Sequence, residues 1–262
     1  MTRSLPARLA RRGLRTLRRA AGLNKDAVFV FGNQRSGTTV IAALLAEHAR
    51  LAATLDLKGS SVEEHEAFVK EELPLKDFLR RHRHQFSVGL VKEPALTLFY
   101  DRLATTFRLE RAAFVIRDPR QNIRSILNQA NVPGDLEGWP DLGAVTPAWQ
   151  RIVDSRWLGI PGDDYIANLA HRWNAIMDIY LERTERLTLV RYEEFQRDKA
   201  GTIWRLADEL GLPHRQNIRR KVDVQYQRPG DAKVDLAAFY GATNLATIHD
   251  ICGERMDRLG YR

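Results

Sequence analysis

Cysteine is almost missing from this chain: Cys252 is the only one in 262 residues. A disulfide within the chain is therefore excluded, and such usage fits a reducing compartment. A cysteine nucleophile is disfavoured as well, because Cys252 falls in a late, helix-like, partly apolar stretch that predicts buried packing. No apolar run approaches the roughly 18–20 residues needed to cross a bilayer. Nor does an uninterrupted apolar core follow the basic N-terminus, as it does in a secretory signal. Together these absences predict a cytoplasmic protein. Acidic side chains are missing from residues 1–25, which hold eight Lys or Arg. The chain as a whole has 41 basic and 33 acidic residues, so residues 26–262 balance at 33 of each. The net charge of +8 thus belongs to a tail, which argues against a basic nucleic-acid-binding body.

Within that tail, Leu5, Leu9, Leu14 and Leu17 space themselves among arginines as a short cationic amphipathic helix over residues 5–20. Such a segment is either a loose peripheral contact with an anionic membrane, through residues 1–22, or with an anionic substrate, or else a solvated leader. The remainder, residues 26–262, reads as one domain: hydrophobic residues make up 44% of the chain, enough for one sizeable core.

What is present is organised around Val28-Phe29-Val30-Phe31-Gly32-Asn33-Gln34-Arg35-Ser36-Gly37-Thr38-Thr39 and the apolar, helix-spaced residues after it. A strand running into a glycine-bounded turn and then a helix presents backbone N–H groups and a helix N-terminus to an anion. The frame Gly32-x4-Gly37-Thr38-Thr39 is that of a phosphate-binding loop, with Thr38 where a Lys is expected. Arg35 is the loop's one cation. That substitution argues against an ordinary magnesium–nucleoside triphosphate.

Further strand–helix alternation follows. Leu51–Leu57, Phe86–Val91, Ala112–Ile116 and Leu187–Val190 read as strands, and residues 61–84 as helical with a break at Pro74. Ala95–Phe107 and Asp164–Arg183 read as helices, as do Ala200–Leu210 and a last one near Ala242–Leu259. Asp118 and Pro119 suit the N-cap and first position of a helix running to Gln129. The cluster Arg80–His84 reads as a solvated helix end. Short connections between alternating strands and helices indicate a parallel α/β sheet, whose ligands sit beyond the carboxyl ends of the strands. Arg35, Asp56, Lys92 and Arg117 all fall at or just past such ends. Residues 131–163 differ in kind, with three of the five tryptophans (Trp139, Trp149, Trp157) in a Gly/Pro-rich stretch. They read as a lid or acceptor-pocket wall, or as an insertion stapled on by its tryptophans.

Assembled, these residues resemble the sulfotransferases that use 3′-phosphoadenosine 5′-phosphosulfate (PAPS). The family's [Lys/Arg]-Ser-Gly-Thr-Thr loop, which binds the 5′-phosphosulfate, is matched by Arg35, Ser36, Gly37, Thr38 and Thr39. Its strand-ending Arg and later Ser, which bind the 3′-phosphate, are matched by Arg117 and Ser125. Its Val-x-Tyr-Glu-Asp-Leu stretch, with an adenine-contacting Tyr, is matched by Val190–Phe195 with Tyr192. Residues 251–261 are similar to the C-terminal helix of many bacterial members. The resemblance implies a P-loop NTPase-like sulfotransferase fold with a central parallel sheet, PAPS as donor, PAP (adenosine 3′,5′-bisphosphate) as product, and no metal.

Within the family the chain is most similar to the tyrosylprotein and carbohydrate branch. Lys92-Glu93-Pro94 is similar to that branch's Lys-Asp-Pro, whose Lys assists the leaving group. Ungapped counting places Asp56 where tyrosylprotein enzymes carry a catalytic Glu, although Asp is one methylene shorter and their surrounding Gly-Glu-Glu-Thr is absent. Pro94 replaces the base His of the cytosolic sulfotransferases. The resemblance therefore implies catalysis by Arg35, Lys92 and a carboxylate: Asp56 first, then Glu93, with Glu63, Glu64 and His65 behind. The acceptor is expected to be a hydroxyl or amine on a glycan, lipid-linked sugar or small metabolite. A P-loop kinase and a non-catalytic nucleotide-binding member remain the alternatives.

Overall fold

The computed structural model describes residues 22–222 and 235–261. The helix expected over residues 5–20 and residues 223–233 of the basic segment after His214 lie outside the described residues. The five strands are β1 (Val28–Gly32), β2 (Ala53–Thr54), β3 (Leu90–Lys92), β4 (Ala112–Ile116) and β5 (Leu187–Arg191). They form one sheet in the order β2-β3-β1-β4-β5, and every pairing is parallel. This is the expected α/β architecture, with β1 at the centre.

Pleating explains the sequence of the central strands, because successive side chains enter opposite layers. From β1 and β4, Phe29, Phe31, Ala112, Phe114 and Ile116 face one apolar layer, together with Trp173 and Ile176 of the Tyr165–Leu181 helix. Val28, Val30, Ala113 and Val115 face the other, against Ile41, Leu44 and Leu45 of the Thr38–Ala49 helix and Ile203 of the Lys199–Glu209 helix. Helices on both faces leave the strands no wet side, so they read as unbroken apolar runs. Register then brings the carboxyl ends to one edge: Val30 pairs with Lys92 and with Ala113, and Ile116 with Arg191.

Several expectations are corrected. The second and third strands shrink to Ala53–Thr54 and Leu90–Lys92, since Phe86 and Val88 enter the core from irregular backbone. Pro94–Phe99 is a 3-10 helix, and only Tyr100–Ala104 of the following stretch is α-helical. A helix, Tyr192–Arg197, starts directly at the end of β5. Residues 131–163 contain the Pro147–Val153 helix and are not one loop. The last helix extends back to Leu236 across a non-helical Gly241. His82 is buried and its Nε2 meets a Glu64 carboxylate oxygen at 2.7 Å, so the Arg80–His84 cluster is not wholly solvated. Asp118 caps the Pro119–Ala130 helix as expected, accepting from the Arg120 N–H at 2.8 Å. Cys252 is buried as expected, and desolvation pushes its thiol pKa up.

Trp173 joins the core to the sheet edge: its ring is wholly buried and its Nε1–H donates to the Arg117 carbonyl at 3.0 Å. Trp173→Ala is expected to cost about 3–5 kcal/mol of unfolding free energy, through the cavity it leaves. A loss below about 1 kcal/mol in denaturant titration would contradict this packing.

Candidate active site

The loop between β1 and the Thr38–Ala49 helix is held from below. Gly32 N–H donates to Thr97 Oγ1 at 3.1 Å while the Thr97 hydroxyl donates to the Gly32 carbonyl at 3.0 Å. Asn122 Nδ2 donates to the Gln34 carbonyl at 2.8 Å and to Ser36 Oγ at 3.0 Å, and Asn33 Nδ2 donates to Asn122 Oδ1 at 2.8 Å. Arg35 sits at φ 66° and Gly37 at φ 88°, both left-handed. A Cβ on Gly37 would lie 2.2 Å from the Tyr192 ring. Such close packing requires glycine there, and it turns the loop over the helix N-terminus, whose first turn holds no acid.

Cations converge on this loop. Arg35 Nε donates to Ser125 Oγ at 3.1 Å, and Arg117 Nη1 donates to the Arg35 carbonyl at 2.7 Å. The Arg117 guanidinium lies 4.6 Å from the Tyr192 ring centroid. Thus the sequence-distant Arg35, Arg117, Ser125 and Tyr192 meet in one cluster. Burial lowers the pKa of both Arg35 and Arg117, and in Arg35 repulsion from Arg117 adds to it. Arg124, whose charge acts on Arg117, is buried with Nε and Nη1 lacking partners. Partly desolvated like charges with orphaned donors favour an anion.

On the other side of the loop a cavity of about 290 Å³ opens, lined by Arg35, Gly37, Thr38, Thr39, Asp56, Lys92 and Glu93 among others. Lys92 is 2% exposed and its Nζ donates to Asp56 Oδ1 at 2.6 Å. The Asp56 side chain is 59% exposed. Glu93 has both oxygens engaged, Oε2 accepting from Leu57 N–H at 2.9 Å and Oε1 from Ala95 N–H at 3.1 Å. It ties the Asp56–Leu57 turn to the end of β3, and burial raises its pKa. Of the residues expected at the loop, Ser36 is wholly buried and serves as a brace for Asn122. Among the described residues no group of three or more His, Cys, Asp or Glu is placed to hold a metal ion.

Arg172 was not foreseen. It lies in the cavity wall, 3% exposed, donating to Gln34 Oε1 at 2.8 Å and Ser155 Oγ at 2.9 Å. Burial alone lowers its pKa to about 10. Its signal was legible: Arg172 shares a helix face with Leu169 and Ile176, where a charge has no packing reason to be. Asn122 left no comparable sign.

Residues 25–229 match the family model described as a sulfotransferase domain. Among solved structures, the sulfotransferase STF9 of Mycobacterium avium superposes with a TM-score of 0.53 at 13% identity, covering 93% of this chain and 79% of that one. Sulfotransferase STF1 of Mycobacterium tuberculosis H37Rv gives a TM-score of 0.52 at 13% identity, covering 91% of this chain and 79% of that one. At such identity the likeness concerns the fold. No curated protein matches the chain.

Proposed function

The chain belongs to the sulfotransferase domain family, and from that premise we propose that it moves a sulfuryl group from PAPS to an acceptor hydroxyl or amine. The observation that carries the donor assignment is the cationic cluster. Arg35, Arg117 and Arg124 are all at least partly buried, Ser125 and Tyr192 stand beside them, and Arg124 holds two orphaned nitrogens. A dianionic 3′-phosphate fits that chemistry at Arg117, Ser125 and Tyr192. The 5′-phosphosulfate fits the loop residues Arg35, Gly37, Thr38 and Thr39, with Ser36 fixing their backbone. Lys92-Glu93-Pro94 supports the tyrosylprotein and carbohydrate branch as the nearer kin, since the lysine reaches the same cavity from a neighbouring strand.

In-line sulfuryl transfer demands mostly positioning and neutralisation of developing charge. Arg35 and the helix N-terminus would orient the sulfonate. Lys92 would neutralise the oxygen of the departing 5′-phosphate as its bond to sulfur breaks and the acceptor's bond to sulfur forms. Asp56 would take the acceptor proton, since its exposed carboxylate faces the cavity; Glu93, whose oxygens already accept two backbone N–H groups, would position the Asp56 turn.

Asp56→Asn is therefore expected to lower kcat about 100-fold or more with PAP affinity unchanged, and Glu93→Gln less than about tenfold. Normal turnover by Asp56→Asn would remove Asp56 as the base. The donor half is checked by calorimetry on the purified full chain: PAP should bind at least about tenfold tighter than AMP, which lacks the 3′-phosphate. Equal affinity for the two nucleotides would sink the PAPS assignment. Among the described residues no helix is long and apolar enough to cross a membrane. Peripheral attachment through residues 1–22 stands as a proposal, tested by lipid-vesicle binding before and after their deletion.

A further inference from the structure

Arg172 is a charge without a counter-charge. It is 3% exposed, no carboxylate pairs with it among the described residues, and burial is the one cause that lowers its pKa. Its Nε is also buried without a partner. A buried cation that nothing neutralises weakens a fold, and so does an orphaned N–H. What Arg172 supplies is order. Its Nη1 donates to Ser155 Oγ at 2.9 Å, and Ser155 is itself fixed. The serine hydroxyl donates to the Ile152 carbonyl at 3.0 Å and its N–H to Asn168 Oδ1 at 2.7 Å. Pinned at that end, the guanidinium turns Nη2 to Gln34 Oε1 at 2.8 Å.

Gln34 is then held at three of its four polar groups. Its N–H donates to Asn33 Oδ1 at 2.9 Å, its carbonyl accepts from Asn122 Nδ2 at 2.8 Å, and Oε1 accepts from Arg172. A guanidinium only donates, so it decides which way the amide faces: oxygen to Arg172, nitrogen away from it. A free amide could turn by half a rotation and present its oxygen instead; this one cannot. Nε2, with two N–H donors and no acceptor, has no protein partner among the described residues, and it is not enclosed. Gln34 is half-buried and lines the cavity that holds Arg35, Lys92 and Asp56.

A donor-only group in that cavity selects among the parts of the proposed reaction. The acceptor hydroxyl or amine must give up a proton and needs a base, which an amide nitrogen is not. The sulfonate oxygens only accept, and they carry charge. Arg117, Ser125 and Tyr192, assigned above to the nucleotide's 3′-phosphate end, do not line this cavity.

Building on the sulfotransferase reading above, we propose that Gln34 Nε2 donates to an oxygen of the sulfuryl group, and that Arg172 is the positioning residue that keeps the amide turned that way. Gln34 thereby distinguishes the loaded donor, PAPS, from the spent product, PAP, which lacks that group.

Calorimetry on the purified full chain with PAPS and with PAP tests this. Gln34→Met keeps the length and removes the donor, so PAPS affinity should fall about tenfold or more while PAP affinity changes less than about threefold. Gln34→Glu keeps the bond to Arg172 but puts a charged acceptor where the donor stood. PAPS affinity should fall at least as far, and further than PAP affinity does; this variant carries the test should Gln34→Met fail to fold. Arg172→Met should weaken PAPS binding about threefold or more in the wild-type background and no further in the Gln34→Met background, because it acts through Gln34. Merely structural damage to the loop would weaken both nucleotides alike. Unaltered PAPS affinity in the Gln34 variants, or equal losses for PAPS and PAP, overturns the proposal while the donor reading stands. An Arg172→Met loss of the same size in both backgrounds removes Arg172 from its positioning role. Failure of the wild-type chain to bind either nucleotide overturns the donor reading, and this one with it.

Discussion

Lys92→Met is expected to abolish most sulfuryl transfer, lowering kcat on the order of 100- to 1,000-fold, while PAP affinity changes less than about threefold. The reason lies in what the lysine touches. Its stem is packed where β3 pairs with the centre of β1, and the side chain is almost fully buried, so the ammonium has one direction in which to act. There it meets Asp56 at 2.6 Å inside the cavity shared with the loop. A charge fixed in a partly dry site needs no reorganisation when negative charge grows on the leaving oxygen, so its removal is felt in the transition state more than in the ground state. Methionine keeps the length and the packing. Asp56, left unpaired, is more than half exposed and is covered by water, so the fold should lose no more than about 1 kcal/mol. Single-turnover kinetics with PAPS, alongside PAP calorimetry, separate the two effects. A variant that keeps kcat within tenfold, or loses PAP affinity in proportion, removes Lys92 from its assigned role.

How far such roles could be foreseen depends on whether a residue's chemistry has a local signature. The Val28–Phe31 run into Gly32, the Ala112–Ile116 run into Arg117, and Asp118-Pro119 announce themselves because a buried parallel strand is apolar on both faces and a helix start has its own capping chemistry. The strand ends therefore located Arg35, Lys92 and Arg117, and the Asp56 turn, from sequence alone. Strand length did not follow, because a ladder extends only where a partner offers hydrogen bonds. Gly89 and Leu90 N–H groups both turn to the Ala52 carbonyl, and that is where β2 and β3 begin to pair. Polar residues that act on other polar residues were silent as well. Asn122 braces the loop from a distant helix, and both Glu93 oxygens accept from backbone N–H groups, of Leu57 and Ala95, that no sequence pattern announces. Arg172 stands between these cases, since its helix face was legible but the cavity it borders was not.

Gly37→Ala should separate a loop that merely turns from one built around its neighbours. Two costs act together. The left-handed backbone at φ 88° penalises any Cβ by about 1–2 kcal/mol. The new methyl would also lie 2.2 and 2.4 Å from two Tyr192 ring carbons, closer than packed atoms approach. Tyr192 cannot simply yield, because the Arg117 guanidinium lies over its ring, and that arginine in turn donates to the Arg35 carbonyl. Moving the ring therefore moves the strand-end arginine and the loop carbonyl with it, and both proposed phosphate sites lose their alignment. PAP affinity is expected to fall about 10- to 100-fold. Gly59→Ala is the internal control, since Gly59 has φ 78° and nothing within 4 Å of the added carbon. It should cost about 1 kcal/mol of stability and leave PAP binding alone. The mechanism makes one further demand, which backbone strain by itself would not. Removing the ring in a Gly37→Ala/Tyr192→Ala double variant must relieve the clash, so the paired loss of affinity should be smaller than the sum of the single losses. Strictly additive losses would mean that the ring and the loop are not coupled through that contact.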